Sequence, residues 1–133
     1  LVVGPMDWQE FTSEVEAAIA ELPPEFRDAV ENVAVLLEDV ADRRTREEMG
    51  LAHPLDLLGL YRGIPLPDRG SSYSGVEPDQ VYLYRRAILD YAQAHGLTVE
   101  ACIRNVLVHE LGHYIGYDDE QLERIEHDLP DGT

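Results

Sequence analysis

Lysine is absent from this 133-residue chain: its 10 basic side chains are all arginine, set against 27 acidic ones, for a formal charge of -17. Such a surface repels phosphate backbones, so no nucleic-acid partner is expected. The same field would draw cationic peptides toward a cleft, although plain solubility is the commoner reason for it. Cysteine is nearly absent too, Cys102 being the only one, which excludes a disulfide framework and any multi-cysteine zinc site. That suits a reducing cytoplasm, the expected location. Its setting, ACIRNVLVHE, reads as a helix with a buried apolar thiol. Long apolar runs are missing as well: no stretch reaches about 18 residues, so no membrane insertion is expected. The N-terminus lacks the pattern of a secretory signal; residues 1–5, LVVGP, resemble the remnant of an expression-tag protease site and are set aside. What remains, residues 6–133 with 44% hydrophobic content over the whole chain, suffices for one domain with its own core and is too short for two.

Asp7 followed three residues later by Glu10 opens a helix running to about Leu22, with Trp8, Phe11, Val15, Ala18, Ile19 and Leu22 on its core face and Pro23-Pro24 as its stop. NVAVLLEDV (32–40) and LLGLYR (57–62) read as strands. ADRRTREEMGLAH between them fits a short surface helix or a loop. PLPDRGSSYSGVEPD is dense in proline, glycine and serine and reads as the one long loop. VYLYR (81–85) alternates, with Val81 and Leu83 on one face and Tyr82 and Tyr84 on the other, where they either look into a cleft or pack across strands. RAILDYAQAHG is a helix closed by Gly96, Thr98 caps the next, and DDEQLERIEHD is a last short helix capped by Asp118. The helix opened by Thr98 is apolar on nearly every side, as expected of a helix buried at the centre of a fold.

That central helix ends in HELGHYIGYDD (109–119). Residues i and i+4 stand one above the other on a helix, about 6 Å apart, so His109 and His113 can share one ion. Zinc takes neutral imidazole nitrogens and leaves positions for a third ligand and a water. Glu110 points to the neighbouring side, where a carboxylate reaches the water rather than the metal and can serve as general base. Gly116 permits the chain to leave the helix through a positive φ and turn back, so that Asp119 becomes the third ligand; Asp118 is the alternative, better suited to capping the next helix. An accidental histidine pair would have to coincide with the glutamate, the glycine and the acidic pair, all on a helix otherwise too apolar to bury imidazoles without partners. Cys102, two turns or roughly 10 Å before His109, is a poor ligand. His53, His95 and His127 lack a partner at metal spacing and read as structural. Tyr114 and Tyr117, beside the motif, and Tyr82 and Tyr84 on their strand are the candidate substrate-binding residues, as pocket wall or as donors to an oxyanion.

The motif resembles the HExxHxxGxxD pattern of zincin metallopeptidases, and NVAVLLEDV, DLLGLYRGIPL and VYLYRRAI are similar to recurring segments of the small bacterial family of minimal zincin-like peptidases with a matrix-metalloprotease-like domain. The resemblance implies a single-domain α+β fold, a small mixed β-sheet packed on an active-site helix and a backing helix. It further implies zinc (Zn2+) held by His109, His113 and Asp119, with Glu110 as base. Metzincins usually have histidine where Asp119 stands and a methionine turn after the motif, whereas Met6 and Met49 both precede it. Only 20 residues follow His113, too few for the downstream helix from which thermolysin-like enzymes draw a glutamate ligand. A shallow cleft is therefore expected, bordered by the strand at 81–85, to which an extended peptide would add.

Three functions compete on these grounds. The first is a zinc-dependent peptidase acting on peptides or unfolded protein segments; the second is a catalytically weak or silent zinc-binding interaction module on a protease fold. The third is a zinc hydrolase of non-peptide amides. Two histidines and a carboxylate also suit iron, and the built-in base of HExxH tilts the choice to zinc.

Overall fold

A computed structural model of the chain describes residues 6–68 and 78–127. The segment at 1–5, most of the serine-glycine loop and the last residues of the tail lie outside them. Helix α1 (Trp8–Ala20) starts where Asp7 accepts the backbone N–H of Glu10 at 2.8 Å, and it buries Phe11, Val15 and Ala18. Trp8 departs from the expected core face: it is 41% exposed, edge-on to Phe11 and under the Arg85 guanidinium. At the first position of a helix, a side chain can still lie on the rim of the core. Pro23-Pro24 ends α1 as expected but also begins something the sequence reading missed. Pro24 opens α2 (Pro24–Val30), which buries Phe26 and Ala29; proline lacks only an N–H that the first helical position leaves unpaired anyway.

Three strands follow the expected segments with shifted bounds: β1 (Val33–Glu38), β2 (Gly59–Arg62) and β3 (Asp79–Tyr84). Between β1 and β2 the ambiguous charged stretch is helical, α3 (Arg43–Met49), because Asp42 caps it through the Thr45 N–H at 2.7 Å and Gly50 closes it in the left-handed region. A short 3-10 turn at Leu66–Asp68 occupies the start of the expected loop. The sheet order is β1-β3-β2, with β1 parallel and β2 antiparallel to β3. The strand at 81–85 is thus the middle one and cannot accept an added peptide strand, since both its edges are paired. Among the described residues, the antiparallel strand at the sheet's edge is β2.

Helix α4 (Arg85–His95) leads through Gly96 to α5 (Val99–Ile115), capped by Thr98 on the Ala101 N–H. Helix α5 touches β2, β3, α1, α2, α4 and α6 (Asp119–His127), which explains its all-round apolar sequence. Ile103, Leu107, Val108 and Leu111 are fully buried in the same cluster as Phe11, Val81, Leu83 and Ile88, each worth about 1.5–3 kcal/mol of burial. Only Asn105, Val106, His109, Glu110 and His113 break this pattern along the helix body, remaining partly exposed. Their spacing of three and four residues makes one stripe, and that stripe faces the cleft. The architecture is the expected α+β one: a small mixed sheet, α5 against it, and α1 backing α5. Among the described residues no helix is long and apolar enough to cross a membrane.

Candidate metal centre

The stripe ends in two imidazoles whose Nε2 atoms are 3.2 Å apart with the rings nearly perpendicular. Asp119 Oδ1 lies 3.8 Å from His113 Nε2, and the three ligand atoms all fall within 4.8 Å of one another. Donors sharing one tetrahedral zinc at about 2.0–2.1 Å stand about 3.3 Å apart, so the two histidines are already at metal spacing. The Asp119 carboxylate, 85% exposed, has the freedom to close the remaining gap. Two imidazoles and a carboxylate suit zinc and also iron.

The turn that returns the chain to the histidines depends on two glycines. Gly116 ends α5 at φ 109, donating its N–H to Gly112 O at 2.9 Å. A Cβ on Gly112 would lie 2.1 Å from a methyl of Leu122, so only glycine lets the fully buried Leu122 of α6 rest against α5. Docked there, α6 contributes twice. Its first residue is Asp119. Its Glu126 accepts the Nδ1–H of His109 at 3.0 Å, which leaves the lone pair on Nε2, facing His113. Asp118 instead caps α6, accepting the Gln121 N–H at 2.8 Å while donating its own N–H to the Gln121 side chain. The short C-terminal segment thus does form a helix carrying a glutamate, and that glutamate reaches the back of His109 instead of the metal face. Glu126 was missed in the sequence; its one signal was an acidic residue on the last amphipathic helix.

Electrostatics separate the two imidazoles. The hydrogen bond to Glu126 raises the pKa of His109 against the opposing effect of burial. Burial, and then the neighbouring His109, lower that of His113. Burial raises the Glu110 carboxyl above the ordinary range, partly offset by His109 and by the Tyr61 N–H, which donates to Glu110 at 2.9 Å. That N–H was also illegible in the sequence. Tyr84 N–H donates to Leu58 O, so alternate positions 58, 60 and 62 of the antiparallel ladder face β3 while 59 and 61 face outward. Glu110 therefore sits against the outer edge of β2.

The four candidate tyrosines are not gathered at this site. Tyr114 is buried, with its ring packed edge-on to Tyr61. Tyr117 donates its hydroxyl to Glu25 at 2.6 Å, which raises its pKa. Tyr82 and Tyr84 stack on each other at 6.2 Å and line a groove with Glu38, Asp42 and Arg62, which none of the histidine-motif residues borders. Burial pushes the Tyr84 hydroxyl up to about 12. The pair stacks along its own strand and packs with Leu55, Leu57, Leu58 and Leu60, because alternation along β3 sends Val81 and Leu83 into the main core instead. An open pocket of about 360 Å³ lies beside His109 and Glu110, bordered by Leu57, Leu58 and Gly59 and not by β3.

The family profile described as "Zincin-like metallopeptidase" matches residues 30–129. Among solved structures, a conserved hypothetical protein from Thermo thermophilus is similar at 24% identity with a TM-score of 0.52, the match covering 90% of this chain and 99% of that one. That likeness bears on the fold alone. No curated protein matches the chain. A match over residues 30–129, across the three strands, α3 to α6 and the histidine pair described above, makes this chain a member of the zincin-like metallopeptidase family.

Proposed function

We propose that the chain is a zinc-dependent peptidase that hydrolyses peptides or unfolded protein segments, with His109, His113 and Asp119 as metal ligands and Glu110 as general base. The observation that carries this reading is the convergence of three ligand atoms within 4.8 Å beside a part-buried carboxylate that accepts an N–H from a strand edge. Zinc bound there supplies Lewis acidity, lowering the pKa of a water toward about 7 and polarising a carbonyl. Glu110 takes the proton of the attacking water and returns it to the leaving amine. Its raised pKa suits both directions of transfer, because a carboxyl closer to neutrality holds a proton more readily between the two steps. Glu126 fixes the tautomer and ring orientation of His109. The outward edge of β2, at Gly59, offers an extended substrate backbone a place to pair. A single reduced thiol suits a cytoplasmic setting.

One observation favours a second reading, a catalytically silent zinc-binding interaction module. The hydroxyls of Tyr61, Tyr82 and Tyr117 are bound to Asp79, Gln80 and Glu25, so none of these three is directed at an oxyanion beside the histidines. The readings separate in one experiment. Zinc content and cleavage of a mixed peptide library are measured on wild type and Glu110→Gln. A peptidase gives about one zinc per chain in both, with cleavage falling roughly 10²-fold or more in the variant. Zinc in both with no cleavage in either favours the module, and no zinc after zinc-replete preparation refutes the metal centre itself.

A further inference from the structure

Between α3 and the sheet lies the groove that Tyr82 and Tyr84 line, with a volume of about 290 Å³. Val81 and Leu83 point the other way, into the core around α5, so the groove and the histidines stand on opposite faces of the sheet. Glu48 takes up both arginines of the groove, Arg62 at 3.1 Å and Arg44 at 3.3 Å, and Arg62 also donates to Thr45 Oγ1 at 3.2 Å. Three acceptors are left over. Glu38 has no hydrogen bond or ion pair among the described residues. Asp42 spends Oδ1 on the Thr45 N–H and keeps Oδ2. Tyr84 is the telling one: it is 2% exposed, its side chain caps nothing, and its hydroxyl has no hydrogen-bond partner among the described residues. The charges that hydroxyl feels are those of Glu38, Arg62 and Asp42, all of which line the groove. A phenol so deeply buried ordinarily finds a partner, and this one faces a space where an occupant can supply it.

We infer that this groove is a docking site for an arginine side chain carried by a peptide or protein segment, its guanidinium bridging the Glu38 carboxylate and the Tyr84 hydroxyl against the tyrosine pair. A guanidinium brings five N–H donors in a planar fork and a face that packs on aromatic rings. An ammonium is a compact point charge and spans separated acceptors less well. A metal ion does not suit the groove: among the described residues the group at metal spacing is His109, His113 and Asp119, and none of the groove's carboxylates belongs to it. An anion would meet Glu38 and Asp42, with both arginines already on Glu48, whereas the chain's charge of -17 draws a cation in. The same pairing leaves no cation to receive the α-carboxylate of free arginine, which is why the side chain is assigned to a chain segment. None of this depends on the peptidase reading.

The test titrates N-acetyl-L-arginine amide into the full chain while the ring resonances of Tyr82 and Tyr84 and the methyl of Thr45 are followed. The citrulline analogue, a neutral isostere, the lysine analogue, free L-arginine and inorganic phosphate are the comparison probes. Saturable shifts at those three residues are expected, with the His109 and His113 rings unmoved. Affinity should exceed that for the citrulline analogue by roughly tenfold or more, the scale of one charge-assisted hydrogen bond, and should also exceed that for lysine. Two variants probe the groove separately. Glu38→Gln, at an exposed position, weakens binding by roughly tenfold. Tyr84→Phe removes only a hydroxyl without a partner, so its Tm holds or rises while affinity falls roughly threefold or more. A phenol with a merely structural role gives the reverse, a lower Tm with binding unchanged, and overturns the assignment. Citrulline binding as well as arginine, shifts with phosphate instead, or tyrosine rings indifferent to the arginine probe also overturn it. Free L-arginine binding more tightly than the capped form overturns the peptide-borne source.

Discussion

Replacing Glu126 by Gln preserves the volume of the side chain and one acceptor oxygen but removes the charge that His109 Nδ1–H meets at 3.0 Å. Carboxylates placed behind a ligating histidine are worth about 10–100-fold in metal affinity, which is about 1.4–2.7 kcal/mol. Both partners are about one-third exposed, so solvent screening favours the lower half of that range. Zinc stabilises the folded chain in proportion to its affinity. At roughly 3–5 °C per kcal/mol for a domain of this size, the zinc-induced rise in Tm shrinks by about 4–13 °C. Direction with pH sharpens the test. The bond to Glu126 raises the His109 pKa, so in wild type a proton competes for that imidazole at higher pH than in the variant. The affinity loss is therefore larger at pH 8 than at pH 6. In the metal-free chain the sign follows from the raised pKa. The charged pair stabilises the fold below the ordinary histidine value near 6.5, and that contribution is lost as pH rises through the higher folded value. Chelator competition and thermal melts with and without zinc, on wild type, Glu126→Gln and the exposed control Glu123→Gln, measure all of this. Zinc affinity in Glu126→Gln within twofold of the control at pH 8 would refute the reasoning.

Three further outcomes are expected. Gly112→Ala puts a methyl 2.1 Å from Leu122, so α6 must shift; a loss of about 1–3 kcal/mol, the scale of overpacking a filled contact, together with weakened zinc binding, is expected in denaturant melts and metal titration. Cys102, 2% exposed with its thiol pushed up to about 11 by burial, holds roughly one part in a thousand as thiolate at pH 8, so alkylation of the native chain is slow until denaturant is added. Iodoacetamide labelling read by mass spectrometry checks this, and rapid native labelling contradicts it. Tyr117→Phe removes only a hydroxyl directed at Glu25; peptide cleavage within twofold of wild type is expected, and a hundredfold fall would return Tyr117 to the site.

Features that depend on nearby residues were legible. Asp7, Asp42 and Thr98 each accept an N–H three residues on, because a cap involves one turn of chain. The i, i+4 spacing that sets His109 and His113 face to face is a property of the helix alone. Even so, Asp42 was insufficient to identify α3 unambiguously, and α2 was hidden because a proline pair reads as a stop and as a start equally well. The alternation in β3 separated Val81 and Leu83 from Tyr82 and Tyr84, but period two says nothing of which face a cleft borders.

The sequence by itself determined the facing histidine pair, the adjacent carboxylate and the central buried helix that carries them, since each is written in spacings of one to four residues or in an all-round apolar composition. Only the tertiary structure decided that β3 is the middle strand, that the tyrosines lie elsewhere, and that Glu126 and the Tyr61 N–H are the groups that hold His109 and Glu110. Those contacts join residues 17 and 49 positions apart. Packing of α6 through Leu122 and of β2 along α5 brings such groups together, and no local periodicity records it.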